Sequence, residues 1–314
     1  MCPLPRLAIT LGDPNGIGPE IVGKCLALPS LYRYCQPVIV GDEITLQRHN
    51  ISTASARYRF VDVRTKGFTK IDPGKTTVQA GRASHAAVVR AVNLIRSGEA
   101  DALVTAPVSK EALHRAGVRY PGHTELLAAL TGSEHYAMLM LAGSLRAVMA
   151  TRHVALSRAG KTLSIRQIVD TTVLSHQSLQ NSFGIPHPRI ALCALNPHAG
   201  EGGLLGREEQ EIIQPALRCI RRRGIPADGP LPGDSAWQKM AAGNYDLLVA
   251  MYHDQAMIGL KCLAPEKIVN VTIGLPFIRT SPGHGTGFDI AGKNCADPRS
   301  MIEAIKLAAK LSRR

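Results

Sequence analysis

Three histidines stand where apolar, strand-like runs give way to polar loops: His153 in MATRHVAL, His198 in LNPHAGEGG and His253 in MYHDQ. Imidazoles brought to one point would hold Zn²⁺, Co²⁺ or Mn²⁺ and leave coordination positions for a substrate. They are spread over a hundred residues, and any one of the eleven histidines more commonly fills a structural role. A second set combines cations with short donors: His123 and Thr124 in GHTE, Lys261 in GLKCL, Asn270 in VNVT and Arg279 in FIRTS. Such a set suits a phosphate or a carboxylate. Each member also reads as an ordinary surface or capping residue. Asp234 in LPGDS and Asp254 in HDQ are candidate acid/base groups or partners that orient a metal ligand. A turn or a helix cap is the plainer role for both.

Two glycine-rich stretches accompany these residues. RTSPGHGTGFDIAG, residues 279–292, surrounds His284 and Asp289 with Gly283, Gly285, Gly287 and Gly292. So little side chain implies a loop pressed close to a ligand or to other backbone. GDPNGIGPE, residues 12–20, has glycines at 12, 16 and 18, which is not the GxGxxG spacing of a Rossmann fingerprint. A tight strand-to-helix turn is its simplest reading.

The elements that must carry these loops alternate along the chain. RLAITLG (6–12), PVIVGD (37–42), ADALVTAPV (100–108), RIALCALN (189–196), YDLLVAMYH (245–253) and VNVTIG (269–274) read as strands. PEIVGKCLAL (19–28), with Pro19 suited to the first helical position, ASHAAVVRAVNLIRSGEA (83–100), EEQEIIQPALRCIRRRG (208–224) and SMIEAIKLAAKLS read as helices. The alternation predicts an α/β protein with a largely parallel sheet, whose ligands sit beyond the carboxyl ends of the strands.

Composition narrows the class. A chain of 314 residues with 45% hydrophobic and 19% charged residues has ample material for a core, in one large domain or two lobes. The longest apolar run, YAMLMLAG at 136–143, is too short to span a bilayer, and MCPLPRLAITLGDP does not resemble a signal peptide. A cytoplasmic protein with no membrane partner is expected. Seven scattered cysteines without a CxxC pair fit unpaired thiols. The net charge of +13 raises nucleic acid as a partner, but the only tight basic run is Arg221–Arg223, which suits the end of a helix. No nucleic-acid partner is expected.

Taken in order, GDPNGIGPE, TAPVSK, PGHTE, LNPHAGEGG, GPLPGD, MYHDQ, VNVTIGLPFIRTS and HGTGFDIAG make the chain resemble the 4-hydroxythreonine-4-phosphate dehydrogenase family over nearly its whole length. LNPHAGEGG, YHDQ and GLPFIRTS are the specific motifs. The amino-terminal glycine motif and HGTGFDIAGK are also similar to segments of isopropylmalate and isocitrate dehydrogenases. The resemblance implies an isopropylmalate dehydrogenase-like α/β/α fold of two lobes, 1–128 plus 264–314 and 129–263, with a cleft between them. It implies a homodimer with shared active sites. His153, His198 and His253 would bind Zn²⁺, Co²⁺ or Mg²⁺, with His253 expected from the partner subunit. His123, Thr124, Lys261, Asn270 and Arg279 would bind the phosphorylated substrate. Gly12, His284 and Asp289 would lie against NAD or NADP. Asp254 and Asp234 would serve proton transfer.

The implied reaction is oxidation of 4-phosphohydroxy-L-threonine to a 3-keto acid that loses CO₂ to give 3-amino-2-oxopropyl phosphate, in pyridoxine 5'-phosphate biosynthesis. Gly283 stands where the family often has an acidic residue, which puts the substrate in question. Related enzymes oxidise 4-phospho-erythronate, phospho-threonate or an aromatic cis-dihydrodiol carboxylate. Retention of GHTE, Lys261, Asn270 and Arg279 favours a phosphorylated substrate. A metal hydrolase using the same histidines would leave HGTGFDIAG unexplained.

Overall fold

The computed structural model describes residues 3–313; Cys2, one of the seven thiols, lies outside them, and the other six cysteines are free. Eleven strands are found there: β1 (Arg6–Thr10), β2 (Gln36–Gly41), β3 (Arg59–Asp62), β4 (Ala102–Thr105), β5 (Ala137–Ala142), β6 (Leu145–Met149), β7 (Ile190–Cys193), β8 (Ala227–Leu231), β9 (Leu247–Ala250), β10 (Ile268–Ile273) and β11 (Ile278–Pro282). The chain is α/β. Among the described residues no helix is long and apolar enough to cross a membrane.

Local sequence explains most helix boundaries. Gly18, not Pro19, is the first residue of helix Gly18–Leu26; proline in second place still costs nothing, because its missing N–H would have had no partner. Helix Val78–Arg96 begins five residues before the stretch that reads as helical, because the Thr77 side chain accepts the Ala80 N–H at 3.1 Å. Helix Ile165–Asn181, capped by Ser164, lies in a segment whose β-branched residues mask a helical period. The segment at 208–224 opens with a π-turn over Glu209–Ile213 and continues as helix Gln214–Arg222. The run Arg221–Arg223 is exposed at its carboxyl end.

The chain divides into two compact units, residues 1–134, 269–271 and 275–314 in the first, and 135–268 with 272–274 in the second. In the first, the strand order is β3-β2-β1-β4-β11, all parallel neighbours, and residues 269–271 of β10 pair antiparallel with β11. Ala8, Val38, Val40 and Val61 pack there against Ala87, Val88 and Leu94 of helix Val78–Arg96 and against Leu126 and Leu127. In the second unit the order is β5-β6-β9-β7-β8. β5 and β6 form a hairpin whose two-residue turn places Gly143 at φ 65, and the other neighbours are parallel. Its core joins Met140, Met149, Cys193 and Leu248 to Met240, Met257 and Leu260 of two helices. Each fully buried aliphatic side chain contributes about 1.5–3 kcal/mol, so both units have their own apolar support.

Candidate active site

The anion-binding candidates of the first unit assemble around a buried guanidinium. Arg279 lies on β11, only 2% exposed, and its Nη2 donates to Thr105 Oγ1 at 2.6 Å. Parallel pairing of β11 with β4 brings the two side chains together, and Thr105 is in register with Thr10 on β1. Burial pushes the Arg279 pKa down to about 9, against the opposite pull of Glu125. His123 opens helix His123–Thr131, and no side chain caps that helix start, so its first N–H groups are available to an anion. Burial, and then the charge of Arg279, holds the His123 imidazole well below its ordinary pKa. His123 Nε2, Asn270 Oδ1 and Thr10 Oγ1 are buried with no hydrogen-bond partner among the described residues. Thr124 is 5% exposed beside His123. Orphaned polar atoms next to a desolvated cation are costly unless a ligand completes them. Lys261 belongs to the second unit, exposed on helix His253–Leu263.

The histidines all belong to the second unit. The rings of His153 and His253 are 6.0 Å apart, tilted by 36°. Their loops leave β6 and β9, adjacent parallel strands whose pairing continues through Ala150 N–H to Ala250 O and Thr151 Oγ1 to Met251 O at 2.7 Å. His253 Nδ1 lies 2.6 Å from Asp254 Oδ1, so an ionised Asp254 keeps the proton on Nδ1 and leaves the Nε2 lone pair free to ligate. Asp254 therefore orients the imidazole. Asp234 is exposed at the start of helix Gly233–Ala241, where it accepts the Ser235 N–H at 2.8 Å, a local helix-start role.

No group of three His, Cys, Asp or Glu among the described residues is placed to hold a metal, so the three histidines form no metal site within one chain. His153 and His253 are the two whose rings lie close. His198 is exposed on the loop after β7, where residues His198 to Gly202 all have φ between 42 and 80, a left-handed turn. Left-handed backbone costs about 1–2 kcal/mol for each non-glycine residue, here His198, Ala199 and Glu201.

The glycine loops meet each other. Ile17 N–H donates to Thr286 O at 2.9 Å, and Gly74 N–H to Asn15 O at 2.8 Å. A Cβ on Gly12, at φ +75, would lie 2.3 Å from Pro107 O, and one on Gly287, at φ +54, would lie 2.9 Å from Ile17. The close approach demanded by HGTGFDIAG is thus at least partly to the chain's own first loop. Beside them lies a cavity of about 240 Å³ lined by Pro14, Gly16, Arg48, Asn50 and Asn294 among others. His284 Nε2 is buried without a hydrogen-bond partner among the described residues, and Asp289 is exposed. Gly283 N–H donates to Ser300 Oγ at 3.0 Å.

A family model, pyridoxal phosphate biosynthetic protein PdxA, matches residues 33–308. The chain belongs to the PdxA family. It is 43% identical to a 4-hydroxythreonine-4-phosphate dehydrogenase of Geobacter metallireducens, covering 98% of this chain and 96% of the relative. It is 42% identical to a D-threonate 4-phosphate dehydrogenase of Cupriavidus necator, covering 99% and 98%. The crystal structure of 4-hydroxythreonine-4-phosphate dehydrogenase from Klebsiella pneumoniae superposes with a TM-score of 0.89 at 40% identity, covering 99% of both chains. The protein is an enzyme, an oxidoreductase of the PdxA family.

Sequence reasoning overlooked three residues that shape these clusters. Thr105, inside the quoted TAPVSK, is the partner of Arg279. Gln255, the last letter of YHDQ, accepts Met251 N–H and donates to Ala194 O, each at 2.7 Å, tying the end of β9 to the end of β7. Glu209 looks like one of several acids on a solvated helix, yet it is 1% exposed. The first two had a signal in their motifs; Glu209 had none.

Proposed function

We propose that this enzyme oxidises 4-phosphohydroxy-L-threonine with NAD or NADP, and that the 3-keto acid formed loses CO₂ to give 3-amino-2-oxopropyl phosphate, in pyridoxine 5'-phosphate biosynthesis. The observation that carries the reading is the buried Arg279–Thr105 pair with the orphaned His123 Nε2 near it. A phosphate would accept from Arg279, Thr124 and the free N–H groups of helix His123–Thr131. Such a grip supplies binding energy away from the reacting carbon. Lys261 remains a substrate-binding candidate on its sequence motif alone. Gly12, His284 and Asp289 are assigned to the dinucleotide side.

The donor set suits a divalent metal, Zn²⁺, Co²⁺ or Mg²⁺. His153 and His198 would hold it, and His253 would come from a second copy, in a cytoplasmic homodimer. A metal there supplies Lewis-acid polarisation of the substrate hydroxyl. Asp254 keeps His253 in its ligating tautomer, and its exposed carboxylate would take the hydroxyl proton through water. A bound nicotinamide would supply the hydride acceptor for the carbinol carbon. Asp234 is assigned to the same proton path at one remove.

D-threonate 4-phosphate is the second reading, favoured by the relative of that name at 42% identity. Formation of reduced nicotinamide with each substrate, a divalent metal and either dinucleotide tests both. Turnover of 4-phosphohydroxy-L-threonine alone supports the first. Turnover of D-threonate 4-phosphate alone transfers the assignment to the second.

A further inference from the structure

Two letters of sequence before His198, the backbone is held by a carboxylate that belongs to another element. Glu209 Oε1 accepts Leu195 N–H at 2.9 Å and Asn196 N–H at 2.8 Å, and Oε2 accepts Asn196 Nδ2 at 3.0 Å. Glu209 is 1% exposed and has no salt-bridge partner among the described residues, so its charge is balanced by these N–H donors alone. The far side of the left-handed turn rests on the same group. A Cβ on Gly200 would come within 2.6 Å of Glu209 Oε2, and one on Gly206 within 2.4 Å of Asn196 Nδ2. Glycine at both places lets the turn close down on the carboxylate and on the asparagine it holds.

We propose that Glu209 is a positioning residue, whose buried carboxylate fixes the left-handed turn that presents His198 for metal binding. The π-turn at Glu209–Ile213 gives the segment an extra residue at the point where the acid faces this loop. Glu209 touches neither substrate nor metal; it acts through Leu195, Asn196 and Gly200. Gln255 secures the same root from the other side, through Ala194 O, and is itself two residues from His253. The inference rests on the reading of His198 as a metal ligand.

Glutamine at 209 keeps the shape but turns one acceptor oxygen into a donor facing Asn196 Nδ2. Asn196 cannot simply flip its amide in response, because Nδ2 also donates to Glu208 Oε2 at 2.7 Å. The test uses the full-length protein, Zn²⁺ and a competing chelator, with the wild type, E209Q, H198A and the double variant. E209Q is expected to weaken Zn²⁺ affinity on the order of 10–100-fold, as loss of a group that orients a ligand does. The same change in the H198A background is expected to add nothing, because the residue it positions is gone. Amide hydrogen exchange of the metal-free protein adds an independent readout: residues 195–206 should exchange faster in E209Q, and β9 should not. E209D, which keeps the charge but withdraws it by one methylene, should fall between wild type and E209Q, and stands in if E209Q does not fold.

Unchanged Zn²⁺ affinity in E209Q, when H198A has lost it, would overturn the role of Glu209 and leave the metal reading standing. Additive losses in the double variant would overturn it too, since the effect would then be general destabilisation. Wild-type Zn²⁺ affinity in H198A would overturn the metal reading and this inference with it.

Discussion

The two clusters solve opposite problems. The Arg279 cluster is buried and carried on strands and a helix start. The histidine side is more exposed, carried on loops after strands, and its three members form no metal site within one chain. A phosphate grip gains from pre-organisation, because cations and donors held dry lose little when the anion arrives. A metal centre can leave its completion to assembly, because each ligand needs only a defined direction. On the proposed reading, rigidity in this enzyme lies where substrate would be held. The histidine side depends on supports such as Asp254, Gln255 and Glu209.

The sharpest way to break this contrast is to ask whether the histidine side is shared. Replacing His198 or His253 by Ala should each abolish metal-dependent turnover, by three orders of magnitude or more on the scale of lost metal catalysis. Mixing the two inactive variants should restore about a quarter of wild-type activity, because half the random dimers carry one intact site of two. No recovery in mixed dimers of verified composition would mean that the histidines act within one chain. The Arg279 side should behave differently. Arg279→Ala should lower kcat/KM on the order of 10²–10³-fold, mainly through KM, and no mixture with a histidine variant should exceed the recovery seen for the histidine pair. An unchanged kcat/KM would remove Arg279 from the site.

A buried acid in the first unit offers a test of the fold rather than the chemistry. Asp13 is fully buried, its Oδ1 accepts Asn15 N–H at 2.9 Å, and Oδ2 has no partner among the described residues. Burial raises its pKa from 3.8 to about 6. A raised folded pKa means that the folded state binds the proton more tightly. Stability is fullest below pH 3.8 and declines as pH rises through the window up to about 6. The ionised carboxylate then costs about 3 kcal/mol at neutral pH. Asp13→Asn should therefore melt higher than wild type at pH 8 and equally at pH 4. A lower melting temperature at pH 8 would show that the carboxylate is needed by a contact the isolated chain lacks.

Much of this was legible in the sequence, for identifiable reasons. Strand cores such as LAIT and LVT are continuous apolar runs, and Pro19, Gly98 and Gly132 punctuate helices by local rules. The polar motifs at strand ends named Arg279, His123 and the histidines before any fold was known. Other features depended on spatial order. YDLLVAMYH reads as one strand, yet β9 stops at Ala250 and His253 opens a helix. That β6 and β7 both flank β9 is set by strand order, and the left-handed turn after β7 that carries His198 has no local signal either. Glu209 is indistinguishable from Glu208 and Glu211 until burial singles it out.

The smallest effect would sharpen the comparison most, because it reads the charge of the Arg279 cluster. His123 is neutral in the folded protein, since burial and Arg279 depress its pKa. Its contribution to stability is complete above the ordinary histidine pKa of about 6.5 and is lost as pH falls below it, when the unfolded chain takes up the proton and the folded one resists. An anion in the site changes the balance. It offsets the Arg279 charge and gives a protonated His123 Nε2 a partner, so anion binding and proton uptake favour one another. Sulfate does not titrate near neutral pH and is the clean probe. Its affinity should tighten severalfold between pH 8 and pH 6, within the range of a single proton linkage. In His123→Asn the affinity should be flat over the same interval. A flat profile in the wild type would mean that His123 stays neutral with the anion bound and holds it by neutral hydrogen bonding alone. The site would then be a cradle with one positive charge rather than two.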